Sequence, residues 1–81
     1  MPHYFFHIRN TTVDFADEDG AELPSRAGAR SHAIEGIRCL IAAEARTGMI
    51  DFRGHIDIAD ESGAIIMSVP HADAFELHLS G

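Results

Sequence analysis

The sequence predicts a small α+β domain, in which one long helix covers one face of an antiparallel sheet and the elements follow the order ββαββ. Three observations predict it: alternating apolar and polar segments near both ends, one long stretch of helical periodicity between them, and turns that contain glycine. A length of 81 residues leaves room for one domain, which we expect to span residues 1–81.

The first strand is predicted from His3 to Arg9, a segment rich in aromatic and β-branched residues. Alternation sorts its side chains into two faces: Tyr4, Phe6 and Ile8 on one, and His3, Phe5, His7 and Arg9 on the other. A turn at residues 10–12 and the alternation of Val13 and Phe15 around Asp14 predict a second strand. Together they predict a hairpin over residues 3–16.

A helix is predicted over residues 25–47, with Ser25 as its N-cap and Gly48 as the left-handed residue after its end. Its apolar stripe is centred on Ile37 and consists of Ala33, Ile34, Ile37, Leu40, Ile41 and Ala45. The stripe should face the sheet. The side chains predicted to point to solvent are His32, Glu35, Arg38, Cys39 and Arg46.

A second hairpin is predicted over residues 55–69, with strands at 55–59 and 64–69. In the later strand, alternation places Ile65, Met67 and Val69 inward and Ile66 and Ser68 outward. Pro70 should end this strand. The short C-terminal segment, residues 71–79, fits a strand and a helix equally well, so both remain open.

Two octapeptides are nearly alike: ADEDGAEL at residues 16–23 and ADESGAII at residues 59–66. They could record the duplication of a strand–turn–strand unit. Turns favour Asp, Ser and Gly at similar positions, however, so the same turn chemistry would select similar residues twice. We favour the second interpretation.

The net charge of −7 argues against partners that are themselves polyanionic. Nucleic acids and anionic lipid surfaces are normally met by basic faces, so we expect no nucleic-acid partner and no membrane role. No apolar run approaches the ~20 residues of a membrane-spanning helix, and the first residues are too polar for a signal peptide. Cys39 is the only cysteine, which agrees with a reducing compartment. We therefore expect a cytoplasmic protein.

A single helix can cover only one side of the sheet, and an uncovered apolar patch on such a protein usually marks a contact site. The predicted interaction face consists of His3, Phe5, His7 and Ile66. The leading functional hypothesis is a non-enzymatic protein-interaction module that forms a homodimer, through this open face or through an edge strand.

The alternative hypothesis is a small metal- or ligand-binding regulatory protein that uses surface histidines. Its candidate metal ligands are His3 and His7, which lie too far apart on one strand to bind a metal by themselves. Further ligands would come from His55, Asp57, His71 and His78. The charge alone would also suit an acidic inhibitor that imitates nucleic acid.

We find no catalytic residue and no cofactor site in the sequence, and we expect no cofactor and no enzymatic activity. Cys39 is the best candidate nucleophile, with His32 and Glu35 on roughly the same side of the helix. No glycine-rich oxyanion loop and no third orienting group accompany it. Cys39 is therefore interpreted as incidental or as part of a helix contact.

Four motifs in order carry a resemblance that covers nearly the whole chain. They are the opening Met-Pro-x-Tyr-Phe-Phe, an Asp-Glu-x-Gly turn before Glu-Leu-Pro, the helix, and a second Asp-Glu-x-Gly turn before a hydrophobic strand and Pro70. In these the chain resembles a family of short, mainly alphaproteobacterial proteins that carry only a domain-of-unknown-function label. Ser25 stands where that family often has an acidic residue. The resemblance implies no activity, so no site residue is carried over from it.

Overall fold

A computed structural model of the chain describes residues 1–10, 14–76 and 78. The strands are β1 (His3–Arg9), β2 (Asp14–Phe15), β3 (Ala21–Glu22), β4 (His55–Ala59) and β5 (Ile65–Pro70). One α-helix, α1 (Arg26–Thr47), separates β3 from β4, and a short 3-10 helix (His71–Ala74) follows β5. The predicted α+β class is confirmed, and β3 is an addition to the predicted order.

The strands form one antiparallel sheet in the order β2-β1-β4-β5. β4 lies in the middle and pairs over five residues with β1 on one side and with β5 on the other. β2 and β3 lie along the same outer edge of β1, β2 at its C-terminal end and β3 at its N-terminal end. Residues 14–22 are therefore one edge segment whose pairing with β1 is interrupted in the middle.

The helix begins and ends where the sequence predicts, because both caps form. Ser25 has an extended backbone, and its hydroxyl oxygen accepts the N–H of Gly28 at 3.1 Å. Gly48 takes the left-handed conformation with a φ of 88°, and its N–H donates to the carbonyl of Ala45.

The core lies between α1 and the sheet, where α1 packs mainly on β4 and β5. It contains Tyr4, Ala29, Ala33, Ile37, Ile41, Ile56, Ile58, Val69 and Ala74. Ile37, at the centre of the predicted stripe, is fully buried. Ala45 was predicted to face the core but is exposed, whereas Ala29, one turn before the predicted stripe, is buried. A helix of 22 residues spans about 33 Å and a five-residue strand only about 17 Å, so the last turns of α1 extend past the sheet.

A β-bulge changes which side chains of β5 face the core. Ala59 pairs with Ile65 and Ile58 pairs with Met67, which leaves Ile66 as the extra residue. Ile66 is consequently half-buried against the core, while Ile65 is 51% exposed. The predicted inward position of Ile65 and outward position of Ile66 are both wrong, because the extra residue reverses the alternation before the bulge.

The first part of the C-terminal segment is helical, because His71–Ala74 forms the 3-10 helix and packs against α1. Leu77 and Leu79, on which the strand interpretation of this segment depended, lie outside the described residues. The predicted turn at residues 11 and 12 and the start of the second strand at Val13 also lie outside them.

Candidate interaction surfaces

The open face, the side of the sheet turned away from α1, is mostly polar. Its apolar part is one row across three strands, Phe5 on β1, Ala59 on β4 and Ile65 on β5. His3, Phe5 and His7 lie on this face as predicted, and each is half-buried. Ile66 does not lie there, because the bulge turns it toward the core. Whether His3, Phe5 and His7 bind a partner stays a prediction.

The rest of the open face is organised around the carboxylate of Asp57, whose side chain is 19% exposed. The hydroxyl of Ser68 donates to Asp57 Oδ1 at 2.5 Å, and His55 Nε2 lies 3.2 Å from the same oxygen. Arg9 Nε lies 3.7 Å from Asp57 Oδ2, and Arg9 also pairs with Asp14 at 3.5 Å. This cluster links β1, β2, β4 and β5 through side chains and partners most of the polar groups of the face.

The Asp57 cluster contains the three residue types of a catalytic triad, but in an order that does not suit nucleophilic catalysis. In a triad the imidazole lies between the hydroxyl and the carboxylate and takes the hydroxyl proton. Here Asp57 lies between Ser68 and His55, so the hydroxyl contacts a carboxylate and not an imidazole. The arrangement is that of a cross-strand structural network.

His3 and His7 hold a neighbouring acidic turn against β1. His7 Nδ1 accepts the backbone N–H of Asp17 at 3.0 Å. His3 Nε2 lies 2.7 Å from the carbonyl oxygen of Asp19 and donates to it. Across residues 1–10, 14–76 and 78, no group of three His, Cys, Asp or Glu side chains is placed to hold a metal ion. Both histidines therefore have a structural task that the sequence did not reveal.

Asp17 bridges the gap between β2 and β3. Its Oδ2 accepts the backbone N–H of Phe6 at 3.1 Å, which would otherwise be unpaired at the edge of β1. Its Oδ1 accepts the N–H groups of Asp19 at 3.2 Å and Gly20 at 3.1 Å. Gly20 has a φ of 65°, and a Cβ there would collide with the carbonyl oxygen of Tyr4. A side-chain carboxylate thus replaces a backbone carbonyl in the ladder.

The second acidic turn uses the same device. Asp60 Oδ1 accepts the N–H of Ser62 at 2.9 Å, the hydroxyl of Ser62 at 2.6 Å and the N–H of Ala64 at 3.1 Å. Gly63 closes the turn with a φ of 88°. Since both turns place an Asp carboxylate over backbone N–H groups, shared turn chemistry accounts for the two similar octapeptides.

Asp17 should make the stability of the protein depend on pH. Burial raises the pKa of its carboxyl, but hydrogen bonds from the N–H groups of Gly20, Phe6 and Asp19 outweigh burial and lower it. A folded-state pKa below the unfolded value of about 3.9 means that this stabilisation is complete above that value and is lost as the pH falls through the folded pKa.

The expected result is a free energy of unfolding that decreases below about pH 4 in the wild type and decreases less in Asp17→Asn. At pH 7 the variant should lose about 1–3 kcal/mol, because an amide has one acceptor oxygen where Asp17 uses two, so its NH2 group faces either the N–H of Phe6 or those of Asp19 and Gly20. Urea denaturation at pH 7 and pH 3 measures both effects, with Glu18→Gln in the same turn as the control. Equal losses on acidification in the wild type and Asp17→Asn would contradict the role of this carboxylate.

On the helix side, an apolar groove remains between α1 and β1. It has a volume of about 140 Å³ and is lined by Phe6, Ile8, His32, Ala33, Gly36, Leu40 and Ile56. The ring of His32 lies 4.7 Å from that of Phe6, so this histidine packs along the groove while it stays exposed to solvent, as the sequence predicted. Phe15, the cross-strand neighbour of Ile8, is 56% exposed beside it.

His71 is the residue whose environment the sequence concealed most. It is 0% exposed, and neither ring nitrogen has a hydrogen-bond partner within residues 1–10, 14–76 and 78. Its backbone N–H donates to the carbonyl of Gly54 at 2.9 Å, and its ring packs against the place where Gly54 lacks a side chain. Its place directly after Pro70 and an apolar strand was the only sequence signal for burial.

Cys39 is exposed, as predicted.

The fold and these surfaces define the class: a small α+β domain with one helix on one side of an antiparallel sheet. Residues 3–72 match the family described as a domain of unknown function, DUF6894, and the chain belongs to that family. This confirms the part of the sequence resemblance that concerns a family with only a domain-of-unknown-function label. No curated protein and no solved structure matches the chain. In the part of the chain that is described, no helix has both the length and the apolar character needed to cross a bilayer.

Proposed function

We propose that the chain is a small, non-enzymatic protein-interaction module that self-associates. One observation carries the proposal: a single helix covers the sheet incompletely and leaves large apolar side chains of the strands in solvent. Phe15 on β2 is 56% exposed and Ile65 on β5 is 51% exposed. Ile65 continues the apolar row of Phe5 and Ala59 across the sheet, and a contiguous apolar surface, unlike a single exposed side chain, is typical of contact sites.

Of the two routes to association, the geometry favours an edge strand over the open face. Asp57, Ser68, His55 and Arg9 already partner one another on the open face, and a partner would have to displace water from these polar groups. A solvated polar face is also the usual state of one side of an antiparallel sheet. An edge, by contrast, offers unpaired backbone groups that another strand satisfies directly.

The same chemistry weighs against the rival classes. His3 and His7 each use a ring nitrogen to hold the acidic turn, which disfavours a regulator that binds metal through them. The net charge of −7 disfavours nucleic acid and anionic lipid as partners. Location in the cytoplasm belongs to this proposal and rests on the single cysteine.

Size-exclusion chromatography with light scattering tests self-association over a concentration range up to about 1 mM. The expected mass rises with concentration from the 8.8 kDa of one chain toward twice that value. A mass that stays at one chain throughout would overturn the proposal. Calorimetric titration with zinc provides the comparison with the rival class, and binding of zinc by the folded protein would favour the metal-binding regulator.

A further inference from the structure

The two edges of the sheet differ in how well they are protected against another strand. On the β1 side, β2 and β3 occupy the edge, and the carboxylate of Asp17 takes the N–H that lies between them. On the other side, β5 pairs with β4 and with no other strand of the described chain. Among the described residues, the outer backbone of β5 is therefore the open edge of the sheet, and it is protected only at its two ends, by the bulge at Ile66 and by Pro70.

β5 also lacks the charges that normally keep an edge strand apart from others. Its sequence is IIMSVP, whereas every other helix or strand described here carries at least one Asp, Glu, Arg or His. Edge strands usually carry Lys or another charge, and this chain has no lysine at all. Two copies with a net charge of −7 each repel one another, so contact is favoured where both surfaces are uncharged.

We propose that two copies of the chain pair antiparallel along β5 and join their sheets into one. The inference rests on the proposed function and names its surface. The occupant is a second copy because an antiparallel strand pair is self-complementary about a twofold axis. The bulge at Ile66 and the missing N–H of Pro70 restrict regular pairing to residues 67–69.

The register follows from which way the side chains of this segment point. Residues directly opposite each other in an antiparallel pair point to the same side of the sheet. The twofold axis therefore passes beside one residue, which lies opposite its own copy, and not between two successive residues. The middle of the segment is Ser68, which places the two Ser68 side chains opposite each other on the open face. Met67 of each copy then faces Val69 of the other on the helix side. A contact this short buries less than the ~800 Å² per partner of a standard interface, so we expect micromolar or weaker affinity.

Ser68→Lys tests the pairing and keeps a favourable contact within each folded chain. The new ammonium group stays within reach of Asp57, which now accepts the Ser68 hydroxyl at 2.5 Å. In the paired state two lysines face each other across the axis, and like charges directly opposite destabilise a strand pair. The expected result is self-association weakened by at least about tenfold in light scattering. Ala43→Lys, with the same change of charge on the exposed side of α1, is the matched control and should not weaken it.

A crosslinking experiment provides a second, independent measurement. In a Cys39→Ser background, Ser68→Cys brings two thiols into opposition at Cβ separations of about 5 Å, within reach of a disulfide after a small adjustment. Mild oxidation should yield a covalent dimer for Ser68→Cys and none for Ala43→Cys. Self-association of the wild type without this crosslink, or equal association of the two lysine variants, would overturn β5 pairing and leave the proposed function standing. A wild type that is monomeric at every concentration would overturn both.

Discussion

Gly54→Ala is expected to destabilise the protein by about 3 kcal/mol, because the site has no room for a methyl group. A Cβ at Gly54 would lie 2.5 Å from Asn10 Cβ, 2.8 Å from the carbonyl oxygen of Arg9 and 2.8 Å from His71 Cε1. Two of these neighbours belong to β1 and the chain just after it, and the third is a fully buried ring, so none can move without disturbing the core. Urea denaturation followed by far-UV circular dichroism measures the loss.

Gly36→Ala is the matched control, since the same chemical change is made where space is free. Apart from the adjoining backbone of α1 itself, no atom of the described residues lies within 4 Å of a Cβ built at Gly36, which is in the interior of the helix. Alanine is the better helix former, so this variant should gain about 0.5–1 kcal/mol and a few degrees in Tm. Stability changes of the same sign and size in the two variants would contradict the packing described around Gly54.

Ile37→Ala is expected to remove about 2–5 kcal/mol of stability, the usual range for truncating a fully buried isoleucine. Ile37 is 0% exposed and lies between α1 and the sheet, in one cluster with Ile58 and Val69. Domains are stable by only about 5–15 kcal/mol, and one of 81 residues belongs near the lower end. The variant should therefore lose most of its cooperative thermal transition, which differential scanning calorimetry records.

Ile34→Ala in the same helix is the control for Ile37→Ala. The two variants change helix propensity alike and differ in how deeply the side chain is buried. Both substitutions replace isoleucine by alanine in α1, but Ile34 is only half-buried. It should lose clearly less than Ile37→Ala, because less apolar surface returns to water. Equal losses for the two variants would show that Ile37 is not the centre of the packed stripe.

The features that the sequence predicted well are those encoded by neighbouring residues. Ser25 and Gly48 mark the helix ends through hydrogen bonds to residues three positions away, and the stripe around Ile37 follows from helical periodicity alone. β1 and β4 were predicted equally well from the sequence, since aromatic or β-branched residues alternate with polar ones along them. Ala45 shows the limit, because the length of the sheet beneath the helix is not a local property.

The features that the sequence concealed depend on contacts between distant segments. The bulge at Ile66 is a matter of register with β4, which the alternation within β5 cannot reveal. The burial of His71 depends on the missing side chain of Gly54, on another segment. For the candidate site, the open face was predicted from coverage by one helix, but its polar character required the pairing that brings Asp57 beside Ser68.

We expect the edge segment, residues 14–22, to detach from β1 without unfolding of the whole domain. β2 and β3 each pair with β1 over two residues, whereas β1 and β4 pair over five. Detaching residues 14–22 thus breaks few ladder contacts, and it releases the amide hydrogen of Phe6 from Asp17. In native-state hydrogen exchange this amide would report the detachment of the outer segment, and the amides of β4 would report the unfolding of the whole domain. The outer edge of β1, which is covered in the ground state, should therefore become exposed at a lower free energy than the unfolding of the core requires.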